Sequence, residues 1–392
     1  MKYIKSLIEK VVSRIKRSFN LILLGIGENN KDLTKRCLLY YKTDAFYREN
    51  SRNFSRHTNG WESIEIVRIL NKLGYVVDVI DRSVKNHEPK NIYDLFIGNA
   101  SGNSGKYFSK YAKNLSRAIK IAYLTGPEPS LSNKLVKERY DQFFIRTKIK
   151  AEYMRISSIP FNDFANESDY FFCIGEEDQF SYNSYKKYNK KIYSIKPSSN
   201  PKFNFNNKWF KSRNKNEFLC IAGSSLICKG VDLLIESFKN MPELTLHICG
   251  PEEEGLSQAY KTLIKKKNNI NFYGIVDMNG EFIQKLAAKC AYSILNSAAE
   301  GCCTSMTSSM NMGLVPIINY EVGINIKNFG FKIPYKKNFI KDIQDICKKA
   351  SNLSDLEYQN RVHECLIDAK NYSTKSFTES FTNALIKIQK LT

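Results

Sequence analysis

The sequence predicts an α/β protein made of two doubly wound, Rossmann-like domains facing each other across a cleft. Three observations lead to that expectation. The chain has 392 residues, more than one hydrophobic core serves, and about 100 to 200 residues per domain gives two domains. Short apolar runs alternate with segments of helical periodicity along most of the chain, which is the pattern of a parallel sheet with helices on its faces. A polar stretch at 197–216, rich in Ser, Asn and Lys, interrupts the alternation once, and the interdomain linker is placed there.

Residues 1–34 read as a basic amphipathic extension. Ile4, Leu7, Ile8, Val11, Val12, Ile15 and Phe19 recur at helical spacing, and Lys2, Lys5, Lys10, Arg14, Lys16 and Arg17 take the other face. Such a helix suits an anionic membrane surface, at about 1 kcal/mol per nearby basic residue, and equally suits docking on its own domain. The apolar run at 21–26 is too short to span a bilayer and lacks a small-residue cleavage site, so a cytoplasmic protein, peripheral on the inner membrane through its basic helix, is expected.

The first domain, 35–205, takes its strands from 37–41, 75–80, 93–97, 118–124, 170–175 and 191–195, with a helix at 62–73. The second, 206–370, takes its strands from 218–223, 244–250, 270–276, 291–296 and 315–318, with helices beginning near Val231, Leu256, Glu281 and Thr304. In open α/β sheets of this kind ligands bind where the strand ends meet polar or Gly-rich loops. A closing helix in 371–392 is amphipathic through Phe377, Phe381, Leu385 and Ile388.

The net charge of +21, from 60 Lys plus Arg against 39 Asp plus Glu, favours an anionic partner: a phosphate-bearing substrate, a membrane surface or nucleic acid. No nucleic-acid motif is present and the lysines are spread along the whole chain, so no nucleic-acid partner is expected. The ten cysteines form no C-x-x-C pair and no cluster with His at zinc spacing. They read as reduced core residues that offer no zinc site, and no cofactor is expected.

Two loops carry the chemistry. In Gly223-Ser224-Ser225-Leu226-Ile227-Cys228-Lys229-Gly230, backbone N–H groups and Lys229 lie at a helix start, where they suit phosphate oxygens; the same turn also serves widely as a plain connection. In Ala299-Glu300-Gly301-Cys302-Cys303-Thr304-Ser305, Glu300 falls at the end of a strand, either facing the cleft or capping the next helix. The N–H groups of Gly301, Cys302, Cys303 and Thr304 form a second anion cradle.

Taken in order with Phe218-Leu-Cys-Ile-Ala-Gly223, the run from Lys229 to Phe238, Gly250, Phe272-Tyr-Gly-Ile-Val276, Met310 and Gly313 to Pro316, these loops resemble the donor domain of GT-B glycosyltransferases of the family 4, or group 1, type. The resemblance implies a nucleotide-sugar co-substrate, a metal-free transfer with retention of configuration, and a terminal helix that crosses back to the first domain. It also implies roles: Lys229 neutralises the donor diphosphate and Glu300 contacts the hydroxyls of the transferred sugar. The backbone at 301–304 holds phosphate or sugar oxygens, the backbone at Ile275 and Val276 meets the base, and Gly223, Ser224 and Gly250 line the same site. Two positions depart from the family: Ser224 stands where Arg is usual and Ser308 where a second Glu is usual. Loss of that Arg weakens donor binding on the order of 10- to 100-fold, whereas Ser308 keeps a weaker hydrogen bond to a ribose hydroxyl.

In the first domain, His57-Thr58-Asn59-Gly60-Trp61-Glu62-Ser63 resembles the Gly-rich loop before the first helix of the GT-B acceptor domain, as found in bacterial surface-glycan transferases. Gly60 then approaches the donor phosphates. His57 either deprotonates an acceptor hydroxyl or orders the loop, with Asn59 capping the helix. The histidine that the family carries near 123–125 is absent, and His247, inside an apolar run, reads as buried. The expected activity is transfer of a sugar onto a glycan or lipid-linked glycan acceptor in cell-envelope polysaccharide biosynthesis. Two other classes stand beside it: a non-catalytic sugar-nucleotide binder, suggested by Ser224 and Ser308, and a nucleic-acid-binding protein, suggested by the charge.

Overall fold

The structure, a computed structural model, describes residues 21–47, 58–105, 107–158, 162–200, 202, 204–334 and 339–391. The basic helical face of 2–19 and His57 lie outside them. In the first domain the chain runs β1 (Ile22–Ile26), β2 (Lys35–Tyr41), α1 (Thr58–Lys72), β3 (Tyr75–Asp81), β4 (Leu95–Asn99), α2 (Phe108–Lys113), β5 (Ile119–Leu124), α3 (Pro129–Thr147), α4 (Asn162–Asn166), β6 (Tyr170–Ile174), α5 (Phe180–Tyr185) and β7 (Lys191–Ile195). The sheet order is β1-β3-β2-β4-β5-β6-β7. Strands β2 to β7 pair in parallel. Their near-continuous apolar runs follow from burial on both faces.

Two expectations need correction here. The extension expected over 1–34 is too long, because β1 places residues 22–26 in the first sheet, antiparallel to β3. It is a half-buried edge strand formed by the apolar run at 21–26, with Leu24 turned outward and Gly25 at φ 69°. Helix α1 begins at Thr58, so Asn59 and Gly60 lie in its first turn and not in a loop before it. Side chains of the next turn are pinned to the end of β2: Ser63 Oγ donates to the Lys42 carbonyl at 2.5 Å, and Tyr41 donates to Glu62 at 3.2 Å.

The second domain runs β8 (Asn214–Ile221), α6 (Val231–Phe238), β9 (Thr245–Cys249), α7 (Glu254–Lys266), β10 (Ile270–Phe272), α8 (Glu281–Lys289), β11 (Cys290–Leu295), α9 (Thr304–Asn311), β12 (Val315–Ile318), β13 (Phe331–Lys332), α10 (Phe339–Ser351), α11 (Asp355–Ala369) and α12 (Thr374–Gln389). All pairs in the sheet, ordered β10-β9-β8-β11-β12-β13, are parallel. Strand β8 starts inside the stretch expected as linker, because its first residues are largely exposed and therefore polar.

Helix α12 packs on the first domain. Phe377 lies 5.6 Å from Trp61, and Phe381 lies 5.8 Å from Tyr123 and 5.1 Å from Phe172, all edge to face. In the other direction α3 leans on the second domain. Arg146 pairs with Asp232 and Glu236, Tyr140 donates to Glu253 at 2.9 Å, and Arg139 donates to the Asn296 carbonyl at 2.7 Å. All ten cysteines are buried and free.

Candidate functional site

Strand order reverses between β8 and β11, which are hydrogen-bonded neighbours in the sheet. In doubly wound sheets the loops leaving such a pair part to opposite faces and leave a crevice at the carboxyl ends of the strands. Both loops singled out by sequence open there. After β8 the chain exposes Gly223 and Ser224, turns at Ser225 with φ 67°, and buries Leu226, Ile227 and Cys228. The Lys229 amide donates to the Ser225 carbonyl at 3.1 Å, which fixes the lysine one residue before the Gly230 cap of α6. Gly230 has φ 73°, and a Cβ on it would lie 2.2 Å from the Asn296 carbonyl, so only glycine lets the two loops touch.

The β11 loop delivers Glu300. Its amide donates to the Glu321 carbonyl at 2.9 Å, and its carboxylate turns toward the β8 loop. Oε1 accepts from Lys229 Nζ at 2.6 Å, Arg155 Nη1 at 2.9 Å and Ser297 Oγ at 2.9 Å. Oε2 meets Arg155 Nη2 at 3.5 Å. Burial favours the neutral acid, but the two cations prevail and hold the Glu300 carboxyl down to about 2. Burial likewise disfavours the Lys229 ammonium, yet Glu300 keeps its pKa above the ordinary value. Beside Glu300, Arg155 is raised too. Among the described residues both cations pair with Glu300 and no other carboxylate, so the cluster carries one positive charge in excess.

Gly301 follows at the seam between the domains. A Cβ there would approach the Thr125 carbonyl to 2.5 Å, so the glycine allows the second domain to touch the end of β5. Cys302 and Cys303 are buried and Thr304 opens α9. The Cys303 amide donates to the Val322 carbonyl at 3.3 Å, so the expected anion cradle is partly engaged within the protein. Ser308 is buried, and its hydroxyl oxygen accepts the Asn200 amide at 3.1 Å, which turns the second-acid position to holding the segment after β7.

Gly250 packs its Cα against the Ala222 carbonyl, with 2.8 Å left for a Cβ, and its amide donates to the Gly274 carbonyl at 2.9 Å. That bond carries the next loop, where Ile275 is 71% exposed while Val276 packs on the core. Gly60 is buried in α1. His247 is buried between the Glu217 carboxylate at 2.6 Å and the Tyr273 hydroxyl at 2.8 Å, a satisfied core histidine whose pKa burial lowers.

Two residues bound to Glu300, Arg155 and Ser297, carry no signal that sequence reasoning used. Arg155 has no motif around it and lies 145 positions from Glu300, so no local spacing links the two. Among the described residues no group of three or more His, Cys, Asp or Glu is arranged to hold a metal ion, and no helix is long and apolar enough to cross a membrane.

Two doubly wound α/β domains, closed on each other and joined by a helix that crosses back, define the GT-B class of glycosyltransferase folds. More particularly, residues 203–329 match the family model described as Glycosyl transferases group 1, and this stretch contains both loops. Sucrose-phosphate synthase from Thermosynechococcus elongatus superposes with a TM-score of 0.65 at 10% identity, over 92% of this chain and 100% of that one. WaaG, a glycosyltransferase involved in lipopolysaccharide biosynthesis, gives 0.55 at 12% identity, over 89% and 99%. The pneumococcal O-GlcNAc transferase GtfA, in complex with UDP and GlcNAc, gives 0.52 at 17% identity, over 76% of this chain and 57% of that one. At these identities the likeness is one of fold, and the chain spans little more than half of the pneumococcal enzyme. No curated protein sequence matches the chain.

Proposed function

We propose that the protein is a glycosyltransferase that moves a sugar from a nucleotide-sugar donor to a glycan or lipid-linked glycan acceptor in cell-envelope polysaccharide biosynthesis. The observation that carries this reading is the buried Lys229–Glu300 pair, held at the switch point of a domain matching the group 1 transferases. Fixed charges in a site shielded from water act on developing charge without reorganising, usually the largest single contribution to catalysis. Lys229 and the N–H groups at the start of α9 meet the negative charge that grows on the departing diphosphate, without a metal ion. Glu300 Oε2, with one long contact at 3.5 Å, accepts a hydroxyl of the transferred sugar. The acceptor enters from the first domain on the face from which the diphosphate leaves, so configuration is retained, and His57 takes its proton.

The likeness to the pneumococcal transferase with UDP and GlcNAc, and to WaaG with its part in lipopolysaccharide biosynthesis, supports the choice of donor and acceptor classes. The basic face of 2–19 suits work at the cytoplasmic face of an anionic membrane. A thermal-shift screen over nucleotide sugars tests the reading, because a ligand of the native state raises its stability. A raised Tm followed by sugar transfer upholds it; no shift with any nucleotide sugar sinks it. A second reading, binding without transfer, rests on Ser224 and Ser308 standing where the resemblance expects Arg and a second Glu. Turnover separates the two.

A further inference from the structure

We infer that Arg155 supplies the second cation for the donor diphosphate, in place of the arginine that the β8 loop lacks at Ser224. This rests on the donor-site reading of Lys229 and Glu300. The residue comes from the opposite domain, in the segment that follows α3, and reaches across the seam to Glu300. Its backbone has φ 64°, a left-handed conformation that a residue with a Cβ adopts only when its surroundings hold it there. The side chain is one-third exposed, at 33%, against 10% for that of Glu300. One edge of the guanidinium is held by the Glu300 carboxylate, Nη1 also lies 3.9 Å from Cys228 Sγ, and a third of the side chain stays open to solvent.

The charge of the cluster points to the ligand. Lys229 and Arg155 share one carboxylate, and a surplus positive charge in a largely buried place is satisfied by an anion. The fork of a guanidinium matches phosphate oxygens better than a lysine does, and it remains charged at any working pH. Of the two Arg155 contacts to Glu300, the one to Oε2 is long, at 3.5 Å, and is the one a phosphate oxygen replaces. Ser224, exposed at the end of β8, leaves the usual position of this charge vacant on the second domain. Supplying it from the first domain makes donor binding and closure of the two domains depend on one side chain.

Titration calorimetry on the full chain with UDP, GDP and ADP and with the matching nucleoside monophosphates tests this. For whichever nucleoside diphosphate binds the wild type, Arg155→Gln is expected to weaken binding roughly 10- to 100-fold, the loss of one charge-assisted contact. Its monophosphate is expected to lose less than about threefold, since it lacks the second phosphate group. Arg155→Lys should fall between, and Ser224→Arg added to Arg155→Gln should recover diphosphate affinity. Melting of the free variants verifies that they fold. Equal or tighter diphosphate binding by Arg155→Gln, or parallel losses of diphosphate and monophosphate, overturns the assignment. No recovery in the double variant overturns the exchange of positions. If Lys229→Ala abolishes binding while Arg155→Gln does not, the donor site stands and Arg155 is excluded from it; if no nucleotide binds the wild type, the donor-site reading falls first.

Discussion

Lys229 Nζ donates to Glu300 Oε1 at 2.6 Å, joining two loops whose residues lie 71 positions apart. Glu300→Gln keeps the shape and a carbonyl acceptor but removes the charge that organises both cations. Turnover should fall at least about 100-fold, as is typical when one group that stabilises transition-state charge is lost, and the melting temperature should fall as well, because Lys229 and Arg155 lose their shared carboxylate. Steady-state kinetics beside a melting curve check this. Glu300 is depressed to about 2, so its stabilising contribution is present above the ordinary carboxylate range and is lost only as pH falls through about 2. An acid limb in the rate profile between pH 5 and 7 would therefore belong to another group.

At the domain seam, Arg146 pairs with Asp232, which has no exposure at all. Burial pushes the Asp232 carboxyl up to about 6 even with Arg146 and Arg139 beside it. Arg146→Ala should destabilise the protein by about 3 kcal/mol at pH 8, since it leaves a buried charge without its partner. The deficit should shrink toward pH 5, where Asp232 takes up a proton. Urea unfolding at the two pH values measures both effects.

Glu62, in α1, is buried and accepts from Tyr41 at 3.2 Å, Tyr123 at 3.4 Å and Ser198 at 3.2 Å. Burial raises its pKa to about 7 against these hydrogen bonds. Because the folded value exceeds the unfolded one, the contribution to stability is full below the ordinary carboxylate range and disappears as pH rises through about 7. Glu62→Gln should flatten the fall in Tm between pH 5 and 8, seen by melting wild type and variant across that range.

If Lys229 and backbone N–H groups carry the charge of the leaving diphosphate, EDTA should leave sugar transfer within about twofold of its untreated rate. A transfer that stops with EDTA and returns with a divalent ion would reverse this part of the mechanism.

The basic face of 2–19 should bind anionic lipid. Six Lys or Arg at about 1 kcal/mol each give several kcal/mol before apolar insertion. Deleting residues 1–19 should lower co-sedimentation with phosphatidylserine vesicles at least tenfold, and equal sedimentation of both forms would assign the helix to packing on its own domain.

Where side chains bury on both faces of a sheet, composition announced the strand, and β2 to β9, β11 and β12 all fall where apolar runs lie. β1 does lie in an apolar run, but one that continues straight from the basic amphipathic segment, so nothing local marks where the extension ends and the sheet begins. The first turn of α1 was hidden by Asn59 and Gly60, poor helix formers that the buried contacts of Glu62 and Ser63 overrule. In β13 two residues pair, too few to carry a period.

For the site the division is similar. Lys229 and Glu300 were legible because a strand, a glycine-bearing turn and a helix stand in order around each, and local chain direction alone aims them at the crevice. The partner of the Ser308 hydroxyl, the Asn200 amide, comes from the segment between the domains, beyond the reach of any local pattern. Arg155 sits 145 positions from Glu300, so no local pattern could link them. Local rules settle which residues a loop presents, because they depend on neighbours a few positions away. Only tertiary structure decided that the first domain sends a guanidinium into that loop, because burying opposite charges together depends on which surfaces the two cores press against each other.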